Sequence, residues 1–246
     1  AVLLALVRPL GAYMARVYEG QPCGLDKVLG TVERFIYWLC GTRREQGMGW
    51  KTYAVAVLLF NLLGLLVVYG LQRMQGMLGA NPAGLGAVSP DLSFNTAVSF
   101  ATNTNWQSYS GETTLSYLTQ MLGLTMQNFV SAATGMAVLV ALMRGLRGKQ
   151  ISDLGNFWVD LVRSTLYILL PLSVVLALAL VSQGVVQTFS AYKTMPLVQA
   201  TTFERPKLDA GGTPMKDAAG KDVTETVVVK EQTLPLGPAA SQIAIK

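Results

Sequence analysis

Residues 92–111 read LSFNTAVSFATNTNWQSYSG, and their composition decides the fold. The stretch has no Asp, Glu, Lys or Arg, yet 11 of its 20 residues are Ser, Thr, Asn or Gln. A lipid-facing span rarely tolerates that polarity, and an exposed loop is rarely so free of charge. Irregular backbone at membrane depth is allowed where protein encloses it or where it lines a water-filled path. A re-entrant segment meets both conditions.

Its local chemistry points the same way. Ser89-Pro90-Asp91 predicts a helix start, with Ser89 as N-cap, Pro90 in the first turn and Asp91 against the positive helix end. Leu92, Phe94, Ala97, Val98 and Ala101 continue it for about three turns. The pattern breaks at Thr102-Asn103-Thr104-Asn105. A strand that replaces a cation's water shell with backbone carbonyls holds its oxygens inward. Some of its residues then need positive φ, which Gly adopts most easily and Asn next. Thr102, Asn103, Thr104 and Asn105 are therefore the candidate ion site, with Trp106 and Tyr109 expected to wedge it from behind. The alternative is an Asn/Thr-rich external turn that holds no ion.

On either side the sequence is apolar. The 246 residues are 51% hydrophobic and 13% charged, against about 25% charged in ordinary soluble domains. No charge occurs over Thr52–Gln72, Thr113–Met143 or Ser164–Tyr192. Each window exceeds the roughly 20 apolar residues that a bilayer crossing needs. A soluble enzyme with one aqueous core is thereby excluded. The expected class is an all-α polytopic membrane protein built on a span–pore-loop–span repeat. The start of a second repeat and a small external loop or β-hairpin would follow.

The window 113–143 would make a helix of about 46 Å, longer than the roughly 30 Å hydrocarbon core, so it must tilt or break. Ser116, Gln120, Gly123, Gln127, Ser131 and Thr134, with Asn128 beside them, recur three and four residues apart. Such a stripe either lines a water path or lets helices pack closely. Gln120, Gln127, Asn128, Ser131 and Thr134 are the candidate cavity-lining residues. In the last span, around 158–181, Pro171 predicts a kink, and Asp160 with Arg163 predicts a local ion pair, Arg163 reaching toward the headgroups.

Charge placement gives orientation. Ten Lys or Arg fall in 8–51 and 144–149, and only Arg73 falls between residues 71 and 91. Basic residues in short loops favour the cytosolic side. This predicts 8–51 and 144–163 as cytosolic, and 73–112 and 193–246 as extracytoplasmic. The net charge of +5 thus reflects topology and not a nucleic-acid partner. Four segments follow: 1–51, the end of a helix (Ala1–Val7) and a cytosolic loop; 52–144, the first pore repeat; 145–192, a connector and the next span; 193–246, an external segment. Within the last, Thr224–Lys230 reads as a strand after a turn at 217–221, as a hairpin or a disordered loop.

Histidine is absent, which removes histidine acid/base chemistry and histidine metal ligation. Cys23 and Cys40 are expected to be buried free thiols. There is no GxxxxGK[ST] and no Asp-Lys-Thr-Gly, so any ATP-driven step belongs to another polypeptide.

Residues 93–138, with Val7–Gly11 (VRPLG), Trp50-Lys51 and the closing 236–246 (LGPAASQIAIK), resemble the potassium-transporting ATPase A subunit family, KdpA. The resemblance implies one of four channel-like repeats around a single filter in a bacterial inner membrane. By it, K+ binds at Asn103, Thr104 and Asn105 with Thr102 at the base, and Gln107 lies at the pore mouth. It implies a P-type ATPase catalytic partner, KdpB, and accessory subunits KdpC and KdpF. It also implies that the other three filter strands lie beyond residue 246. A secondary potassium or sodium transporter, or an autonomous channel of the same superfamily, is the competing expectation.

Overall fold

A computed structural model describes residues 2–148, 153–207, 215–216 and 222–245. It divides into two compact units, 1–188 with 238–246, and 189–237.

The first unit is helical. Helices α1 (Val2–Glu19) and α2 (Asp26–Cys40) occupy most of the segment expected to be a loop. The pattern of basic residues that marks topology there had masked their helical periodicity. Helix α3 spans Trp50–Met74, α4 Pro90–Ala101, and α5 is the single turn Gly111–Thr114. Helix α6 covers Thr119–Arg147 and α7 covers Phe157–Ser182, and α8 is Ala239–Ile245. Helices α3, α6 and α7 are long and apolar enough to cross a membrane. On α3, Leu58, Leu59, Leu62, Leu63 and Leu66 are exposed, as a lipid-facing side requires.

The long window at 113–143 is broken near its start. Leu115 is extended, and α6 begins with a π-helical stretch, Thr119–Thr125. In α7 a second π-helical stretch, Ser164–Leu169, precedes Pro171. Proline cannot donate to the carbonyl four residues earlier. That carbonyl, of Tyr167, instead accepts the Tyr13 hydroxyl at 2.6 Å.

Two of the apolar clusters join α3 to its neighbours. Tyr53 and Ala56 of α3 meet Ala133, Ala137 and Ala141 of α6 and Phe157 and Leu161 of α7. The alanines recur every fourth residue and let backbones approach closely. Val68, Val88, Ala97, Phe100, Leu115 and Leu124 form the other cluster, which fastens the short helix α4 between α3 and α6.

Buried charges close the ends of these spans, with partners the sequence did not suggest. Asp160 does not pair with Arg163. It takes two hydrogen bonds from Arg144, at 2.7 and 2.9 Å, and one from the Tyr53 hydroxyl at 3.1 Å. Arg163 is buried rather than reaching for headgroups, and bonds Glu33 of α2 at 3.1 Å. Glu33 also accepts the hydroxyls of Tyr37 (2.8 Å) and Tyr167 (2.9 Å). A pair three residues apart is favoured only on an open helix surface; here tertiary partners displace it. Cys23 and Cys40 are free thiols, but Cys23 is half-buried and Cys40 exposed.

The second unit is an antiparallel hairpin of β1 (Lys193–Pro206) and β2 (Thr224–Leu234). Its register shifts between Pro196 and Thr201, where proline cannot donate to the ladder. The expected strand is present, and longer; the turn at 217–221 lies outside the described residues.

Candidate functional site

The site begins at the C-terminus of α4. Pro90 occupies its first turn and Asp91 follows, but the Ser89 side chain makes no capping hydrogen bond. The helix ends at Ala101, where its carbonyls and negative dipole end meet the Asn/Thr run.

Ser99 holds that run in place. Its carbonyl accepts the amides of Thr104 (2.9 Å) and Asn105 (3.2 Å), and its hydroxyl accepts the amide of Trp106. Three successive N–H groups therefore point back at one residue of α4. The backbone can turn this way because Asn103 and Asn105 both adopt positive φ, 57° and 59°. Alternating left-handed residues swing successive peptides, and asparagine bears that conformation at less cost than most residues. No described hydrogen bond engages the carbonyls of Asn103, Thr104 or Asn105. The Thr102 hydroxyl bonds the Val98 carbonyl and sits 2.9 Å from the Thr104 hydroxyl.

Helix α6 holds the side chains of the run. The Asn105 amide donates to Asn128 Oδ1 at 2.9 Å, and Ser131 Oγ donates to Asn103 Oδ1 at 3.3 Å. Asn105 Oδ1 is buried without a partner. The other stripe residues differ in role. Gln120 bonds the carbonyls of Gly111 and Leu115, at the exit of the loop. Gln127 packs against α3 so closely that a Cβ at Gly64 would collide with its side-chain amide. Thr134 bonds back to Val130 of its own helix. Gln107 is exposed, and with Gln120, Asn128 and Phe100 it lines a pocket of about 200 Å³. Tyr109 packs behind the loop as expected, but the Trp106 ring is 76% exposed and wedges nothing in this chain.

Two further residues escaped the sequence reading. Gln75, fully buried, donates to the carbonyls of Gly86 (2.6 Å) and Thr114 (2.8 Å) and accepts the Ser116 amide. Gln72 donates to the Ser93 carbonyl of α4. Together they tie the end of α3 to α4 and to the segments on either side of the loop. Their signal was two glutamines three residues apart closing an otherwise Leu/Val-rich span. Among the described residues no group of three or more Asp, Glu or Cys could hold a metal ion. The open oxygens of the site are neutral carbonyls.

The sequence model of the family described as Potassium-transporting ATPase A subunit, KdpA, matches residues 1–246. A protein of Methylococcus capsulatus is 65% identical over 245 residues, and one of Ralstonia pickettii is 58% identical over 245. A third, of Sorangium cellulosum, is 59% identical over 246 residues. All three are named potassium-transporting ATPase potassium-binding subunit. Each match takes in 100% of this chain but only 41%, 41% and 39% of the respective relative. With the whole chain inside the family's pattern and these relatives at 58% identity or more, the protein belongs to the potassium-transporting ATPase A subunit family, KdpA.

Proposed function

We propose that this chain supplies the first span–pore-loop–span repeat of a potassium-binding subunit. In that reading K+ enters from the extracytoplasmic side, sheds water against the carbonyls of Asn103, Thr104 and Asn105, and passes inward to an ATP-hydrolysing partner. Segment 8–51 and the α6–α7 connection face the cytosol. The run 102–105 is one strand of the filter, and the repeats beyond residue 246 contribute the others. KdpB is the catalytic partner, with KdpC and KdpF as accessory subunits, in a bacterial inner membrane.

The observation that carries this reading is the direction of the loop's peptides. Ser99 takes the three amides from 104 to 106, which leaves carbonyls free on the opposite edge. Asn103 and Thr104 are exposed and Asn105 half-buried in this chain, and a row of carbonyls without protein donors suits a cation that takes the donors' place. K+ is the cargo named for the relatives.

The test is Gln107→Arg in the full-length protein within its complex. A fixed positive charge at the mouth opposes an incoming cation. The expected outcome is a raised potassium concentration for half-maximal uptake with an unchanged amount of complex. Unaltered half-maximal uptake would remove Gln107 from the mouth.

A further inference from the structure

Helix α2 presents three different stripes, and one of them is unaccounted for. Gly30, Glu33 and Tyr37 face inward and are buried. Lys27, Thr31 and Arg34 form a polar stripe, exposed throughout, that Trp38 continues. Val28, Val32, Phe35 and Leu39 form the third, at intervals of four, three and four, with exposures of 43–72%. At about 100° per residue the polar stripe lies roughly 100° from each of the others, and the apolar stripe lies nearly opposite the buried one. A helix on the surface of a soluble protein buries its one apolar stripe and turns the rest to water. Here the inward stripe is fixed by an ion pair and two tyrosines, and the apolar stripe is left open.

The place of α2 identifies what covers it. Its inward stripe is bonded to Arg163 and Tyr167 of α7. Arg163 is six residues from the start of that span, or about 9 Å along its axis. An interfacial helix sinks its apolar face about 5–10 Å into the boundary between headgroups and acyl chains. Side chains at this level meet lipid on one side and water on the other. The charges agree. Lys27, Arg34, Arg43 and Arg44 are exposed around the helix and its C-terminal turn against two exposed acids, Asp26 and Glu45, and the buried Glu33 is already paired with Arg163, which leaves a basic excess. Trp38 continues the polar stripe and is exposed, and tryptophan is enriched at membrane–water interfaces.

We propose that α2 is a lipid-binding helix lying in the membrane interface. The stripe Val28/Val32/Phe35/Leu39 lies among acyl chains, and Lys27 and Arg34 bind anionic phospholipid headgroups. The proposal rests on the membrane-spanning character of α3, α6 and α7 and is independent of the potassium site.

The experiment uses the full-length protein in its complex, reconstituted into vesicles. Phe35→Cys, Leu39→Cys and Thr31→Cys are spin-labelled one at a time after replacement of the native cysteines. Accessibility to oxygen, which partitions into lipid, is compared with accessibility to a water-soluble nickel chelate. At 35 and 39 the oxygen-to-nickel ratio is expected to be several-fold above that at 31. A low ratio at 35 and 39 puts the stripe in water and overturns the proposal. Shielding from both reagents means that a partner subunit or the rest of the chain covers it, which overturns it equally. Adding phosphatidylglycerol to phosphatidylcholine vesicles is expected to raise the ratio at 35 and 39, and no change overturns the headgroup contact. As a check without substitutions, the unmodified complex is photolabelled with a diazirine phosphatidylglycerol. Label on the peptide holding residues 28–39 is expected, and its absence overturns the proposal.

Discussion

The loop at 102–105 and the charged ends of the spans treat their polar groups in opposite ways. At the ends of α6 and α7 the buried acids meet counter-charges. Asp160 lies under Arg144 and Tyr53, and Glu33 under Arg163, Tyr37 and Tyr167. In the loop no formal charge is present, the amides of 104–106 are bonded, and no described hydrogen bond engages the carbonyls of 103–105. A buried charge is costly until paired, so the chain completes those sites from within. A neutral carbonyl is cheaper to leave open, and an open row can receive a transient positive guest. The buried charges of α6 and α7 serve architecture, and in the proposed site the binding groups are uncharged oxygens.

Breaking a closed site should therefore cost the most. Arg144→Ala leaves the Asp160 carboxylate, with a side chain 2% exposed, facing only the Tyr53 hydroxyl. Removing one partner of a buried pair costs about 3–5 kcal/mol, whereas replacing both by apolar residues is often neutral. Thermal unfolding of the full-length protein should show a large drop for Arg144→Ala and much of it restored in Arg144→Met/Asp160→Leu. A loss no larger than that of a surface substitution would end the contrast between closed and open sites.

The open site should respond through affinity instead. Ser99→Ala deprives the Trp106 amide of its acceptor while sparing the two bonds made by the Ser99 carbonyl. A buried donor left unbonded costs about 1–3 kcal/mol. At 1.4 kcal/mol per tenfold, uptake by the full complex should need about tenfold more potassium. Asn128→Ala removes only the side-chain bond to Asn105, worth about 1 kcal/mol, and should have the milder effect. Equal effects would show that the loop is held by its side chains as much as by its backbone.

What could be read in the sequence follows from what local chemistry controls. The three spans announced themselves as windows without charge, and α4 by its proline start and short apolar pattern. Positive φ at Asn103 and Asn105 was foreseeable from the tolerance of asparagine for that region. The anchor was not, because Ser99 looks like any serine on a polar helix. The partner of Asp160 was misread for a related reason. Arg163 is near in sequence, but Arg144, 16 residues back, reaches it through the α6–α7 packing. The helix expected at Ala1–Val7 runs on to Glu19, and this continuation and α2 went unseen because a count of basic residues per segment reports which side they face and nothing about how they fold. The π-helical stretches in α6 and α7 carry no periodic signature; they arise where a break or a proline disturbs the regular ladder.

The smallest effect should come from titrating a closed site. Burial raises the pKa of Glu33, but hydrogen bonds from Tyr37, Tyr167 and Arg163, with the Arg163 charge, outweigh it and hold the carboxyl below its ordinary value of 4.5. A depressed carboxyl contributes stability that is present above the ordinary value and lost as pH falls through the lower folded value. Docking of α2 on α7 should therefore be constant near neutral pH and weaken only below 4.5, where protonation takes the charge from the Arg163 contact. Hydrogen exchange of the α2 amides in the full-length protein reads this as faster exchange toward acid. Asp26, whose carboxyl is lowered by the Cys23 amide, titrates in the same direction at the start of α2. The Glu33 share is therefore isolated by comparing Glu33→Gln with Asp26→Asn. Glu33→Gln should exchange faster at neutral pH and lose most of the acid slope, since its amide keeps a tyrosine hydroxyl but never pairs with Arg163. An acid slope as steep in Glu33→Gln as in the natural chain would mean that tyrosine hydrogen bonds alone close this site, and that charge pairing is confined to Asp160 and Arg144.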